Sequence, residues 1–167
     1  MRNISLNFIL FSILFVSFTL NAQKSTSESF DNMLDELLSQ SVPYVTVEEL
    51  KLLDNPVLLD ARPKKEYDVS HIEDATCVGF ISFNKSKVAH LSPDDTIVVY
   101  CSVGYRSEKI GKKLQELGFK NVYNLYGSIF EWVNQGNPVV NKDGKTTEVH
   151  AFNKEWSQWL QRGTKVY

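Results

Sequence analysis

The segment Thr96-Ile97-Val98-Val99-Tyr100-Cys101-Ser102-Val103-Gly104-Tyr105-Arg106 passes from an apolar run into a short loop and on into a helical stretch, Ser107 to Leu117. The run Thr96 to Tyr100 lacks polar alternation, which suits a strand buried on both faces, as in parallel sheets. Ile110, Leu114 and Leu117 recur at helical spacing, and Gly118 is a natural C-terminal stop. A cysteine closing the strand, a glycine in the turn and an arginine at the helix start compose an anion-binding loop. Its backbone N–H groups converge on one point, and the helix dipole adds positive potential there. A cysteine held at that point ionises readily, so the residues point to thiolate chemistry.

Upstream of this loop, Val57-Leu58-Leu59 reads as a second buried strand, ending in Asp60-Ala61-Arg62-Pro63. Tyr44-Val45 is a short strand, and Thr46 with Glu49 forms a capping box opening a helix through Leu53. Lys64 to Val69 is a helical turn and Ala75 to Phe80 a strand, whereas Ser82 to Leu91 fits either a helix or an irregular connection. Downstream, Asn121 to Leu125 is a strand, and Ser128 with Glu131 makes a second capping box opening a helix that ends near Gly136. Val139-Val140 and Thr146 to Val149 flank a hairpin around Asp143-Gly144. Glu28 to Gln40 and Asn153 to Leu160 read as amphipathic helices that pack on the domain.

Alternating strands and helices predict an α/β fold: three layers, with a mainly parallel central sheet and helices on both faces. Sites in open sheets of this kind form at the C-terminal ends of strands. Asp60 and Cys101 both stand there, so one shared site is expected.

The chain of 167 residues carries a formal net charge of -2 with both signs interspersed, and no basic stripe suggests nucleic acid. Arg2, the apolar run Phe8 to Leu20 and the small residue Ala22 before Gln23 have the pattern of a secretory leader cleaved near Ala22-Gln23. The organisation expected is a leader over 1–22, a helical extension over 23–43, a domain over 44–140, and a hairpin and helix extension over 141–167. The mature protein would be periplasmic or secreted, with no stable membrane association after cleavage. Its cysteines are Cys77 and Cys101; outside the cytosol these either pair or stay free, and Cys101 reacts as a nucleophile only if free. His71, His90 and His150 show no ligand spacing with each other or with the cysteines, so no metal and no cofactor is expected.

From Tyr44 to Val140 the chain resembles the single-domain rhodanese (sulfurtransferase) family. The resemblance lies in Leu59-Asp60-Ala61-Arg62, Glu66-Tyr67, His71-Ile72 with Ala75, Tyr100 to Ser107, Gly118-Phe119 to Val122, and Gly127 with Trp132. It implies a rhodanese-like fold in which Cys101 attacks the outer sulfur of a small donor such as thiosulfate or a persulfide. Cys101 then carries that sulfur as a persulfide to a thiol or cyanide-like acceptor, or to a protein thiol. The amides of Ser102, Val103, Gly104, Tyr105 and Arg106 would hold the terminal sulfur. Asp60, Arg62 and Ser107 would brace the loop, and His71 would be a structural hydrogen-bonding residue. Arg106 either adds charge at the rim or locks the loop through carboxylate bonds.

Phosphate- or arsenate-handling relatives of this fold look like Cys-x5-Arg; this chain has four residues between Cys101 and Arg106, a ring sized for sulfur. The same residues also fit a non-catalytic binding module, or a redox protein cycling a Cys77–Cys101 disulfide. The chain departs from the family pattern at Asp74, where glycine is common, and at Cys77, where asparagine is common. Val103 and Tyr105 are bulkier and less charged than the loop residues of many relatives. The corresponding expectation is an acceptor that is either not a strongly anionic thiol or is itself a protein.

Overall fold

The computed structural model describes residues 24–167; the leader expected over 1–22 lies outside them. In chain order the elements are α1 (Glu28–Leu37), β1 (Tyr44–Val45), α2 (Val47–Leu50), β2 (Val57–Asp60), α3 (Lys64–Val69), β3 (Thr76–Cys77), β4 (Thr96–Tyr100) and α4 (Tyr105–Glu116). There follow β5 (Asn121–Leu125), α5 (Ser128–Asn134), β6 (Val139–Asn141), β7 (Gly144–Thr146), β8 (Glu148–His150) and β9 (Thr164–Val166). Five strands make one parallel sheet in the order β1-β5-β4-β2-β3. Among the described residues no helix is long and apolar enough to cross a membrane.

The two faces of the sheet follow from the alternation of side chains along β4. Val98 and Tyr100 point into a core shared with Phe30 and Leu34 of α1, Ile129 and Phe130 of α5, and Leu160 near the C-terminus. Ile97, Val99 and Cys101 point to the other face, against Ile110 and Leu114 of α4. Helices therefore cover both faces, which is why the strand could be apolar at every position. The N-terminal helix is part of this core: burying Phe30 and Leu34 contributes roughly 1.5–3 kcal/mol each. Phe30 also stacks on Trp159, with ring centroids 5.4 Å apart.

Several elements differ from their sequence reading, each for a local reason. The capping box of Thr46 and Glu49 forms, yet its helix stops at Leu50 rather than Leu53. β3 keeps only Thr76–Cys77 because Val78 and Gly79 both donate to the Asp60 carbonyl, and Gly79 turns the chain at φ +72°. Residues 82–91 are irregular apart from a 3-10 turn over Lys85–Lys87. The Ser128–Glu131 capping box does not form: Gly127 occupies the cap, and the Glu131 carboxylate accepts from the Thr26 amide and hydroxyl instead. The hairpin closes at Lys142-Asp143, but Glu148–His150 leave it to pair in parallel with Thr164–Val166. In place of a helix over 153–160 there is a 3-10 turn, Trp156–Trp159.

Candidate active site

β4 delivers Cys101 to the C-terminal edge of the sheet, and α4 begins four residues later at Tyr105. Between them the loop is pinned from several sides. The Cys101 amide donates to Ser128 Oγ (3.1 Å), which donates in turn to the Leu125 carbonyl (3.2 Å). Amides at the start of α5 reach the loop's carbonyls: Ile129 donates to Cys101 O (3.3 Å) and Phe130 to Ser102 O (3.2 Å). The Gly104 carbonyl accepts from Ser107 Oγ (3.0 Å), Asn124 Nδ2 (3.1 Å) and the Glu108 amide (3.0 Å).

Gly104 has φ +128°, a backbone region that side chains disfavour, and this turns its amide onto Cys101 Sγ at 3.2 Å. Tyr105 and Arg106 are the first residues of α4, so their amides have no acceptor within the helix and remain available near the sulfur. Ser107 is fully buried in the first turn of α4, where its amide favours the thiolate.

These contacts set the ionisation of Cys101. Burial pushes the thiol up, but the charge of Arg106 and the donors from Ser107 and Gly104 outweigh it and leave the thiol more acidic than an ordinary cysteine. Cys101 is only 2% exposed, so a reactant must come to it through a pocket. That pocket, of about 300 Å³, is lined by Leu37 of α1, by Ser102, Val103, Tyr105 and Arg106 of the loop, and by Phe152 and Trp156 of the C-terminal segment.

Arg106 forms a two-pronged pair with Glu66 of α3, Nη1 to Oε1 and Nη2 to Oε2, both at 2.9 Å. Its Nη2 also donates to Ser102 Oγ at 2.9 Å. Arg106 thus fills both roles at once: it locks the loop to a carboxylate and holds positive charge beside the sulfur. Burial opposes ionisation of Glu66, yet its bonds to Arg106 hold it below the usual carboxylate range. The sequence assigns Glu66 no role beyond its place in the motif set. Its partner stands forty residues away, and no local spacing announces such a pair.

Asp60 and Arg62 pair completely out of solvent, Arg62 Nη2 to Asp60 Oδ2 at 2.6 Å. None of their side-chain hydrogen bonds reaches residues 101–106, however. Arg62 Nη2 donates to the Ser70 carbonyl (2.7 Å), and its guanidinium lies over the Tyr100 ring at 5.8 Å. The pair ties β2 to the α3–β3 connection and bears on the loop only through β4. His71 donates through Nδ1–H to the Tyr67 carbonyl (3.0 Å), and its ring stacks on the Tyr67 ring.

Both cysteines are free thiols. Cys77 lies opposite Asp60, and Asp60 lies opposite Tyr100, so the whole of β2 separates β3 from β4. Two inter-strand spacings are about 10 Å, against the ~7 Å limit for bridging Cα atoms. A Cys77–Cys101 disulfide therefore has no place in this fold, and burial pushes the Cys77 thiol up, away from reactivity. Among the described residues no three His, Cys, Asp or Glu side chains come together as a metal site.

Phe152 is another contributor that sequence reading missed. It sits at φ +66°, a strained conformation costing about 1–3 kcal/mol for a bulky residue, and its amide donates to His150 Nδ1 (3.1 Å). Its ring lies 5.1 Å from the Arg106 guanidinium carbon.

The solved structures that share this architecture include a protein from Bacillus halodurans, with a TM-score of 0.56 and 22% identity over 70% of this chain and 87% of that one. Another is the rhodanese-like domain of an Anabaena protein, with a TM-score of 0.55 and 22% identity over 59% of this chain and 79% of that one. Among curated proteins, a tRNA uridine(34) hydroxylase of Photorhabdus laumondii is 36% identical over 60% of this chain and 32% of its own length. A Mycobacterium tuberculosis protein named "Probable adenylyltransferase/sulfurtransferase MoeZ" is 33% identical over 48% of this chain and 21% of its own. The chain thus spans a third or less of these two curated relatives. The family model described as rhodanese-like domain matches residues 46–135, the span that holds β2 to β5 of the parallel sheet, the Cys101 loop and Glu66; the chain belongs to the rhodanese-like domain family.

Proposed function

We propose that the protein is a sulfurtransferase that carries sulfane sulfur on Cys101. The observation carrying this reading is the Gly104 amide at 3.2 Å from a buried, acidified Cys101 Sγ at the floor of a pocket. In the first half-reaction the Cys101 thiolate attacks the outer sulfur of thiosulfate or a persulfide. The new S–S bond forms as the donor's own bond breaks, its electron pair leaving with sulfite or the donor thiolate. Cys101 then bears a persulfide whose negative terminal sulfur is held by the amides following it. In the second half-reaction a thiolate or cyanide takes that sulfur and restores the Cys101 thiolate. No proton, metal or external electron is needed in either step. The name of the Mycobacterium relative includes sulfurtransferase and agrees with this chemistry. Hydroxylation of tRNA is not carried over, because the match covers a third of the Photorhabdus protein. The apolar run Phe8 to Leu20 supports export as part of the same proposal, placing this chemistry outside the cytosol.

Intact-mass measurement after exposure to thiosulfate tests the reading. One added sulfur atom is expected on the wild type and none on Cys101→Ser, which should keep the fold. Equal behaviour of the two proteins toward every donor and acceptor would leave a binding module instead.

A further inference from the structure

Much of the wall around the Cys101 pocket comes from outside residues 46–135, the span of the family match. Leu37 reaches it from α1, and Phe152 and Trp156 reach it from the segment between β8 and β9. Phe152 is held in place by the bond from its amide to the buried His150. With Val103 and Tyr105 these side chains give the space above the sulfur an apolar, partly aromatic lining. Among the described residues, Arg106 is the one charged side chain lining it. Both terminal nitrogens of Arg106 are engaged by Glu66, and the Phe152 ring stands beside its guanidinium.

That arrangement discriminates between donors. A small dianion entering the pocket gives up its hydration and meets a cation whose charge Glu66 already balances. An apolar substituent, by contrast, leaves water for contact with Phe152, Trp156, Tyr105 and Leu37. We propose that the donor is an organic sulfane, R–S–S⁻ or R–SO₂–S⁻, whose R group is apolar and of aromatic size. This rests on the sulfurtransferase reading of Cys101. The Cys101 thiolate attacks the terminal sulfur, the bond from that sulfur to the R-bearing sulfur breaks, and RS⁻ or RSO₂⁻ leaves with the electron pair. The attacked sulfur keeps its negative charge on the enzyme, so charge and electrons balance without a co-reactant.

The probes are sodium benzenethiosulfonate and sodium methanethiosulfonate, which release the same type of leaving group and differ in R. Thiocyanate formation with cyanide as acceptor is followed on the full chain, each rate being divided by that donor's rate with free cysteine. The wild type should favour the phenyl donor by about tenfold or more in kcat/KM, the range that a well-formed apolar pocket gives. In Phe152→Ala and Trp156→Ala the preference should shrink to within about threefold, through a rise in KM for the phenyl donor. Turnover of both donors with no preference in the wild type overturns the donor assignment alone, as does a preference that survives both substitutions. Failure of these donors and of inorganic thiosulfate to load Cys101 overturns the sulfurtransferase reading beneath it.

Discussion

Replacing Gly104 by Ala perturbs the loop at the atom pair on which the chemistry depends. Gly104 has φ +128° and ψ -19°, a conformation that costs a side-chain-bearing residue about 1–3 kcal/mol. A Cβ there would also lie 3.3 Å from both Leu38 methyl carbons and 3.5 Å from Asn124 Nδ2. The Leu38 contacts are tighter than ordinary packing by a few tenths of an ångström, so overpacking adds about 1 kcal/mol, the low end of its range, because the Leu38 methyls can give. The sum, about 2–4 kcal/mol, lowers the midpoint of thermal unfolding by roughly 4–16 °C for a chain of this size. If the loop instead turns over to relieve the strain, the Gly104 amide leaves Cys101 Sγ, and sulfur loading at neutral pH slows. Urea unfolding and loading followed by intact mass read the two effects separately. Leu38→Ala separates strain from crowding: in that background Gly104→Ala should cost about 1 kcal/mol less, since only the backbone penalty remains. A Gly104→Ala protein within about 0.5 kcal/mol of wild type, loading at the wild-type rate, would refute the requirement for a positive φ at this position.

Two further outcomes follow from the charges around the loop. In Arg106→Gln the thiol loses the charge that most strongly opposes its burial, so the pH profile of Cys101 alkylation by iodoacetamide should move to higher pH. Alkylation near neutrality should slow by about tenfold or more; the Glu66→Gln, Arg106→Gln double variant should behave similarly, and superimposable profiles would mean that the backbone amides suffice. Glu66, depressed in the folded state, contributes stability that is complete above its unfolded pKa of about 4.3 and is lost as pH falls through the lower folded value. Wild type should therefore exceed Glu66→Gln by about 1.5–3 kcal/mol in urea unfolding at pH 7, a gap that narrows below about pH 4; a gap independent of pH would contradict this linkage.

The fold was legible wherever a local pattern carried it. β4, β5 and α3 span Thr96–Tyr100, Asn121–Leu125 and Lys64–Val69 as read, and along β4 burial on both faces leaves little room for another register. Legibility failed where distant atoms decide an element's fate. α1 ends at Leu37 and not Gln40, since the amides of Ser39 and Ser41 are taken by the Glu108 carboxylate of α4. β9 has no signal of its own in Thr164-Lys165-Val166 and exists because β8 offers it a partner. The site divides in the same way. The residues from Cys101 to Ser107 are contiguous, so their chemistry could be read in one dimension. Ser128 looked like a helix cap because of Glu131 three residues on, whereas its hydroxyl serves the Cys101 amide. Phe152 and Trp156 carried no motif, and their place on the pocket wall depends on how the segment between β8 and β9 packs against the domain.

Two arginine–carboxylate pairs stand near the C-terminal edge of the sheet, and their contrast explains why charge is present at this site at all. Arg62 and Asp60 are fully buried two residues apart, a spacing visible in sequence; burial opposes the Arg62 charge, but Asp60 restores it and keeps the guanidinium protonated. That charge is spent within the pair and on the Ser70 carbonyl, so it holds strands and connections in place. In the second pair Glu66 is buried, but Arg106 keeps 14% of its side chain exposed on the wall of the pocket. There the pair meets two opposing demands. A buried thiolate needs a nearby cation, while an unpaired guanidinium beside it would bind any passing anion and hold a charged product in place. Glu66 fixes the guanidinium in one position and pairs its charge, so that it lowers the Cys101 thiol without standing as an unpaired cation in the pocket. The acidity of the thiol and the apolar character of its pocket are thus compatible because the cation that serves the first is already paired when a reactant enters the second.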